Sequence, residues 1–392
     1  MLTVPVREGA LVRFCRALAP AAALVAFAVS LVSACRARQP GDVVIAALTA
    51  RTGARAAWGE DLLRGMDLAV AHVNHRGGLL GRRVRLVSVD DASREENAGM
   101  LAGRLLERER PLALFGEVSS AACERAALIA QRRSVPFIAA ANTQRDLVHI
   151  GDFVFRTAAT DAEQAAILAR YVRTTHERGR AAIVYRRTSL LHLAIADAFS
   201  RAFRAAGGDV VLRDTFESDD TEIVRLAARI RASGADVVFV PAQASDGGRM
   251  ASALRHGRVS AQITGTDGWA SPDLRRFDPE SLQGVLIVDA YASDSPRPEV
   301  AAFQHAFRES YRASPGTFAA LGFDAVRWVL AVAARVPVLD PRALRDALAN
   351  SRLREGVAAP FSVDERRIAS RAVNILRVET GELFRFVEST GP

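Results

Sequence analysis

Apolar residues occur along the chain in short uninterrupted runs that are separated by longer stretches of mixed character. The runs at 43–48, 112–115 and 135–138 alternate with stretches at 61–74, 95–107 and 121–130, in which apolar residues recur at helical spacing. Short apolar runs are typical of strands buried on both faces, and the spaced stretches are typical of amphipathic helices. Strands separated by single helices predict a parallel, doubly wound sheet with right-handed crossovers.

One more strand is predicted in the first half of the chain, at 83–89. The same alternation of strands and helices continues after residue 160. There the predicted strands are 181–185, 210–214, 235–240, 262–265, 284–288, 373–378 and 383–387, and the predicted helices are 161–174, 193–206, 221–232, 247–256, 300–312 and 317–335. A length of 392 residues suits two domains of ordinary size. The fold class that follows is α/β, with two Rossmann-like lobes of parallel-type sheets that form a clamshell around a cleft.

The N-terminal residues 1–34 are typical of a signal peptide. Arg7, Arg13 and Arg16 precede an apolar run at 17–32, and small residues then lead to Cys35. Small residues directly before a cysteine resemble the bacterial lipobox, which implies cleavage before Cys35, lipidation of Cys35 and a tether over 35–42. The alternative is an ordinary secretory signal cut nearby, with Cys35 incidental.

Composition and charge exclude several classes of function. All 52 basic residues are arginine, and the net charge of +8 is interspersed with acidic residues instead of clustered, so we expect no nucleic-acid partner. With three cysteines, of which Cys15 and Cys35 belong to the leader, a disulfide framework or Cys-rich zinc site is excluded. The remaining Cys123 is either activated near a helix start or buried and inert.

Enzyme motifs are not found. The glycine-rich segment 77–81 follows a helix and precedes a strand, the reverse of a dinucleotide fingerprint. The chain has no G-x-S-x-G elbow, and without lysine it has no P-loop or S-x-x-K motif. His72 and His75 share a helix without an evident third ligand, so we expect no metal, no cofactor and no catalytic activity.

Polar residues stand where two neighbouring strands of the first lobe end. Ser119 and Ser120 follow the strand at 112–115 and open a helix, and Thr143 follows the strand at 135–138. Ligands bind at this edge of an open α/β sheet, and a helix start with hydroxyl groups suits a small carboxylate. The alternative is that Ser119 or Ser120 only caps its helix.

An ordered set of short motifs resembles the leucine/isoleucine/valine-binding protein family, the type I periplasmic binding proteins that serve branched-chain amino acid ABC transporters. The set covers essentially the whole mature chain and comprises Trp58-Gly59-Glu60, Gly65, Val73-Asn74, residues 77–82, Asp90-Asp91, residues 116–120, Val135-Pro136, residues 155–157, Asp161 with Gln164, residues 265–268 and residues 360–364. The resemblance implies an extracytoplasmic receptor in the cell envelope, with an ABC permease in the membrane as partner. It also implies lobes of 43–160 plus 290–371 and 161–289 plus 372–392.

The resemblance further implies the residues that hold an amino-acid ligand. Ser120, with Ser119 beside it, the backbone of Ala141, and Thr143 match the carboxylate site; Asp161 and Asp267 match the ammonium site; and Trp58, in a polar loop, matches the aromatic shield. Three of these residues also have a structural alternative. Asp161 can simply favour its helix start, Asp267 can belong to a turn, and Trp58 can occupy a core position.

Two positions depart from the family, which commonly has tyrosine at both. Leu190-Leu191 stands after the strand ending at Tyr185, and Gln243 follows the strand ending at Val240. An amino acid remains the expected ligand, and a carboxylate without an ammonium group or an amide is the alternative. A sensor that docks on a membrane signalling partner and a degenerate homologue that no longer binds are the competing functions.

Overall fold

The structure is a computed structural model and describes residues 41–175, 179–217, 219–380 and 383–391. The predicted leader, Cys35 and the tether up to residue 40 lie outside these residues. No helix within the described ranges combines the length and the apolar character that crossing a membrane requires.

The first sheet is fully parallel and has the strand order β2-β1-β3-β4-β5. Its strands are β1 Val43–Thr49, β2 Val84–Asp90, β3 Leu114–Gly116, β4 Phe137–Ala139 and β5 Val154–Arg156, and its crossover helices are α1 Ala56–His75, α2 Ala98–Glu109 and α3 Ser120–Arg132. Every residue of β3, β4 and β5 is buried, as expected of strands covered on both faces. The sequence analysis did not identify β5, which has only three residues.

The second sheet begins with five parallel strands. These are β6 Arg180–Arg186, β7 Asp209–Phe216, β8 Val237–Val240, β9 Gln262–Gly265 and β10 Leu286–Asp289, with helices α4 Asp161–Thr174, α5 Leu190–Ala205, α6 Asp220–Ser233, α7 Ala244–His256 and α8 Pro279–Leu282. The doubly wound α/β architecture predicted from the sequence is therefore confirmed.

After β10 the chain returns to the first sheet. It forms helices α9 Pro298–Tyr311, α10 Thr317–Ala333 and α11 Pro341–Leu348, and then a small antiparallel sheet of β11 Arg352–Leu353, β12 Phe361–Val363 and β13 Ala369–Arg371. Helix α10 is buried on nearly all sides and shares one hydrophobic core with Ile45 and Phe155 of the first sheet.

The final strands join the second sheet in the opposite direction. Strand β14 Val373–Arg377 pairs antiparallel with β10, and β15 Arg385–Thr390 pairs antiparallel with β14, which gives the order β15-β14-β10-β9-β8-β6-β7. The second sheet is thus parallel in its centre and antiparallel at one edge, a common variation of doubly wound folds.

Three helices begin three or more residues earlier than the sequence predicts. Helix α1 starts at Ala56 instead of residue 61, α5 at Leu190 instead of 193, and α7 at Ala244 instead of 247. Neither Arg55 nor Gln243 caps its helix with a side chain, so the usual capping signal is missing at two of these starts. As a consequence, Trp58 lies in the first turn of a helix, and the predicted polar loop around it was wrong.

Candidate functional site

The carboxyl ends of strands from both sheets face a common cleft of about 420 Å³. This volume lies within the range of small-molecule sites. Six of the nine predicted ligand-binding residues line the cleft, namely Trp58, Ala141, Thr143, Asp161, Gln243 and Asp267. Other residues that line the cleft include Gln164, Leu191, Asp273, Asp289, Thr317 and Phe318.

Asp161 lies at the first position of helix α4. A capping box of Thr160 and Glu163 satisfies the helix start, which leaves the Asp161 carboxylate free to face the cleft. Its Oδ2 accepts a hydrogen bond of 2.9 Å from Thr143 Oγ1 on the opposite side. Burial, assisted by the negative charge of Asp267, raises the pKa of Asp161 to about 7.

Asp267 follows strand β9 and opens a single helical turn at Asp267–Trp269. Its Oδ2 accepts a hydrogen bond of 3.1 Å from Gln164 Nε2, which reaches it from helix α4. Burial raises the pKa of Asp267 above its ordinary value. Two carboxyl groups from separate segments therefore share one side of the cleft, and each disfavours the charge of the other.

Asp289 is a third carboxyl group in the cleft, and sequence reasoning missed it. It ends strand β10, is buried, and accepts a hydrogen bond of 2.8 Å from Thr317 Oγ1 at the start of α10. Burial raises its pKa to about 7. The rule that polar residues at strand ends line such a cleft would have found it, because Asp289 directly follows an apolar run.

An aromatic pair forms the wall at the mouth of the cleft. Trp58 is 49% exposed, and its ring stacks on Phe318 with centroids 5.8 Å apart and planes at 21°. Phe318 belongs to α10, which is far from Trp58 in sequence, so no local pattern could pair the two. A half-exposed tryptophan is unusual for a core position and is typical of a surface that a ligand covers.

The two serines that were expected to hold a carboxylate do not line the cleft. Ser119 caps α3 by accepting from Ala122 N at 3.4 Å, and its Oγ donates to Glu95 Oε1 at 2.6 Å. Ser120 is exposed on the first turn of that helix. The structure thus places Ser119 in the capping role that the sequence left open, because its hydroxyl is occupied by local partners.

The residues at the two positions that depart from the family pattern differ in whether they line the cleft. Gln243 precedes helix α7 and lines the cleft, whereas Leu190 is 82% exposed and does not. Its neighbour Leu191 lines the cleft instead and is 54% exposed. Because α5 begins at Leu190 with Ser189 as its cap, the helical rotation between consecutive residues turns Leu191 toward the cleft.

Nucleophilic and metal chemistry find no support among the described residues. Cys123 is buried in α3, and burial raises the pKa of its thiol to about 12, which makes it inert. No group of three or more His, Cys, Asp or Glu side chains in the described ranges is arranged to hold a metal ion.

The chain is similar to known proteins in sequence and in structure. Residues 42–382 match the periplasmic binding protein family model. A Leu/Ile/Val-binding protein of Rhizobium johnstonii is 28% identical over 263 residues, which cover 67% of this chain and 71% of that protein.

Two solved structures share the fold. The branched-chain amino acid transporter substrate-binding protein of Streptococcus pneumoniae, in complex with isoleucine, has a TM-score of 0.75 at 23% identity and covers 90% of this chain and 100% of that one. An ABC transporter solute-binding protein from R. palustris, in complex with benzoate, has a TM-score of 0.71 at 22% identity and covers 90% and 97% of the two chains.

Proposed function

The chain belongs to the periplasmic binding protein family, and we propose that it is the solute receptor of an ABC transporter that captures an amino acid of the branched-chain type in its cleft. The observation that carries this proposal is that three of the four aspartates lining the cleft have no paired cation, whereas the fourth, Asp273, pairs with Arg276. Asp161, Asp267 and Asp289 face a side that provides Thr143, the backbone of Ala141 and Trp58. That arrangement matches the two charged ends and the apolar side chain of a zwitterion.

The acidic side is suited to an ammonium group. Within the described part of the chain, none of the three aspartates lies within ion-pair distance of an arginine or histidine. Burial raises the pKa of Asp289, and it raises the pKa of Asp161 despite the opposing charge of Arg156 beyond ion-pair distance. A ligand ammonium group supplies the missing positive charge and hydrogen-bond donors in a site from which water is largely excluded.

The apolar wall is suited to the ligand side chain. Trp58 and Phe318 on one side and Leu191 on the other leave apolar surface facing the cleft. Covering this surface provides a favourable free energy that is roughly proportional to the apolar area removed from water. The pair Leu190-Leu191 stands where the family commonly has Tyr-Gly, and Leu191 lines the cleft, so we propose a pocket more apolar on that side.

The proposed transport role uses closure of two lobes, residues 43–160 plus 290–371 and residues 161–289 plus 372–392. Each lobe holds one end of the ligand, so binding favours the closed form, and the closed form is the one that the membrane permease recognises. Lipidation of Cys35 anchors the protein on the extracytoplasmic side of the membrane. The protein acts by binding and release, without catalysis.

A second candidate ligand is a carboxylate without an ammonium group. The stacked pair of Trp58 and Phe318 favours it, because a flat aromatic acid packs well against such a surface. The related R. palustris protein binds benzoate. In this case the three aspartates remain protonated in the complex, and their O–H groups donate to the ligand.

Thermal unfolding of the purified chain with a panel of amino acids, amides and aromatic carboxylates tests the proposal. A ligand at about 100 times its Kd stabilises the fold by about 2.7 kcal/mol, which raises the midpoint by several degrees. We expect an aliphatic amino acid to give this rise and Asp161→Asn to abolish it. The matched variant Asp197→Asn, on helix α5 outside the cleft, retains the response.

The other outcomes decide against the proposal in distinct ways. A rise with carboxylates alone supports the second candidate and overturns the role of the acidic side. No rise with any compound overturns the receptor function and favours a sensor of another ligand or a degenerate homologue.

A further inference from the structure

Gln164 lies on helix α4 one turn after Asp161, and both residues line the cleft. Residues three apart on a helix share a face, so α4 presents the two side chains to the cleft together. Gln164 is 4% exposed, although its side chain is polar. The proposed function gives it no contact with the ligand, and a buried amide beside the acidic side of the cleft needs a reason of its own.

The amide nitrogen of Gln164 connects α4 to Asp267 on a separate segment. Its Nε2 donates to Asp267 Oδ2 at 3.1 Å and to the carbonyl oxygen of Ala159 at 3.4 Å. Its Oε1 is buried and has no hydrogen-bond partner in the described part of the chain. A buried acceptor without a donor costs free energy, so the two bonds of the nitrogen are what hold the amide in place.

These two bonds determine which end of the amide faces Asp267. With nitrogen and oxygen exchanged, Oε1 would stand against the carbonyl oxygen of Ala159, and two acceptors repel each other. The amide nitrogen donates and has no acceptor capacity. Asp267 Oδ2 therefore accepts the hydrogen bond, and a hydrogen bond to the charged form of a carboxyl group favours that form.

The other two aspartates of the acidic side have partners of a different kind. Asp161 accepts from Thr143 Oγ1, and Asp289 accepts from Thr317 Oγ1. A hydroxyl group can donate to a carboxylate or accept from a carboxylic acid, so neither threonine selects one protonation state. The amide of Gln164 thus gives the third aspartate a preference for the charged form that these two lack.

The interactions among the three carboxyl groups agree with this assignment. Burial raises the pKa of Asp267, and the hydrogen bond from Gln164 is the largest effect that opposes burial. Burial also raises the pKa of Asp161 and of Asp289, and the negative charge of Asp267 raises both further. This is the pattern expected where Asp267 ionises before the other two.

We propose that Gln164 is a positioning residue that fixes Asp267 as a carboxylate and thereby confines the proton released on ligand binding to Asp161. The inference rests on the proposed function, because it concerns how the acidic side receives an ammonium group. The fixed charge of Asp267 attracts the ammonium group, and Asp161 completes the site when it loses its proton. Gln164 acts through Asp267.

Calorimetric titration of the purified chain with leucine, in buffers of different ionisation enthalpy near pH 6, counts the protons released on binding and tests this inference. Gln164→Met keeps the approximate size of the side chain and removes the donor. Without the donor, Asp267 takes up a proton that the ammonium group must displace. The variant should therefore release about one proton more than the wild type and bind about tenfold or more weakly.

The matched control is Gln304→Met. Gln304 is a glutamine of helix α9 that is 8% exposed, donates to the carbonyl oxygen of Ser293 and does not line the cleft. The same substitution there should leave the number of released protons as in the wild type. A loss of packing alone weakens binding without changing this number, so the proton count separates positioning from a merely structural role.

The ionisation of Asp267 can also be followed in the wild type without ligand. Carbon-13 NMR of labelled aspartate carboxyl groups records the titration, and the signals lost in Asp161→Asn and Asp267→Asn identify the two residues. We expect Asp267 to ionise at lower pH than Asp161. The reverse order overturns the inference, even where Gln164→Met fails to fold.

Two failures are distinguishable. Leucine binding without an additional proton in Gln164→Met, or the reverse order of ionisation, overturns the role of Gln164 alone. Absence of leucine binding in the wild type overturns the proposed function and, with it, the role of Gln164 in binding.

Discussion

Buried carboxyl groups dominate the electrostatics of this protein at the residue scale. Glu117 is fully buried at the end of β3, where its carboxylate accepts backbone N–H groups from Ala50 at 2.8 Å and from Ser119. Burial outweighs these hydrogen bonds and raises the pKa of Glu117 to about 7. Asp161 and Asp289 in the cleft have pKa values raised to the same range by the same cause.

The raised pKa of Glu117 predicts a pH-dependent stability. Between its ordinary pKa and about 7, the folded state keeps a proton that the unfolded state has lost, so the free energy of unfolding falls as pH rises through this window. The slope is about 1.4 kcal/mol per pH unit for each such group. In Glu117→Gln the decline is shallower, which chemical denaturation at several pH values measures.

The control for this prediction is Glu124→Gln, an exposed position on helix α3. It should leave the slope of stability against pH as in the wild type. An unchanged slope in Glu117→Gln would show that Glu117 is already ionised in the folded state at low pH.

Sequence reasoning reached part of the site because certain residues follow strands directly. Thr143 is predicted on this basis, Asp161 and Asp267 are predicted from the family resemblance, and all three line one cleft. Sequence reasoning missed Phe318, because its helix reaches the cleft only after the chain has returned to the first sheet. Ser119 and Ser120 are of a residue type that suits a carboxylate site, but neither lines the cleft. Ser119 caps its helix, and Ser120 is exposed to solvent.

Close helix packing sets the position of the aromatic wall at the element scale. Gly65 of α1 lies against α10, and a Cβ built there would stand 2.0 Å from the carbonyl oxygen of Ala319. Only glycine permits this approach, which holds the start of α10 beside α1 and brings Phe318 under Trp58. The aromatic pair of the cleft therefore depends on a contact in the core.

Gly65→Ala should destabilise the protein by about 1–3 kcal/mol, because the added methyl group forces α1 and α10 apart. Chemical denaturation measures the loss. The matched variant Gly99→Ala, in helix α2, meets nothing closer than 3.6 Å. It should be neutral or stabilising by about 0.5–1 kcal/mol, since alanine is the better helix former. Equal stability of the two variants would contradict the close contact.

The elements themselves were largely predictable, and their ends were not. Uninterrupted apolar runs such as that of β1 identify strands buried on both faces, so the parallel order followed from the alternation with helices. The early starts of α1 and α7 were missed because Arg55 and Gln243 are not typical capping residues. Strands β14 and β15 form an antiparallel edge because the chain comes back to the second sheet after its helices at the first sheet. The composition of the two strands does not reveal this direction.

At the scale of the whole molecule, polar contacts link the two sheets across the cleft. The hydrogen bond from Thr143 to Asp161 is one such contact, and it occupies the groups that are proposed to hold the two ends of the ligand. In the proposed complex, an amino acid replaces this contact with charge-assisted hydrogen bonds to both sides. The proposed function therefore links ligand binding and closure of the lobes to ionisation of Asp161.

This linkage allows the central claim to be tested directly by the affinity for the best amino-acid ligand between about pH 5.5 and pH 7.5, measured by calorimetry. Because an ammonium group requires Asp161 to lose its proton, the affinity should increase about tenfold or more across the range. Asp161→Asn should bind weakly and without this dependence. An affinity that stays constant or falls as pH rises in the wild type would contradict the ammonium site.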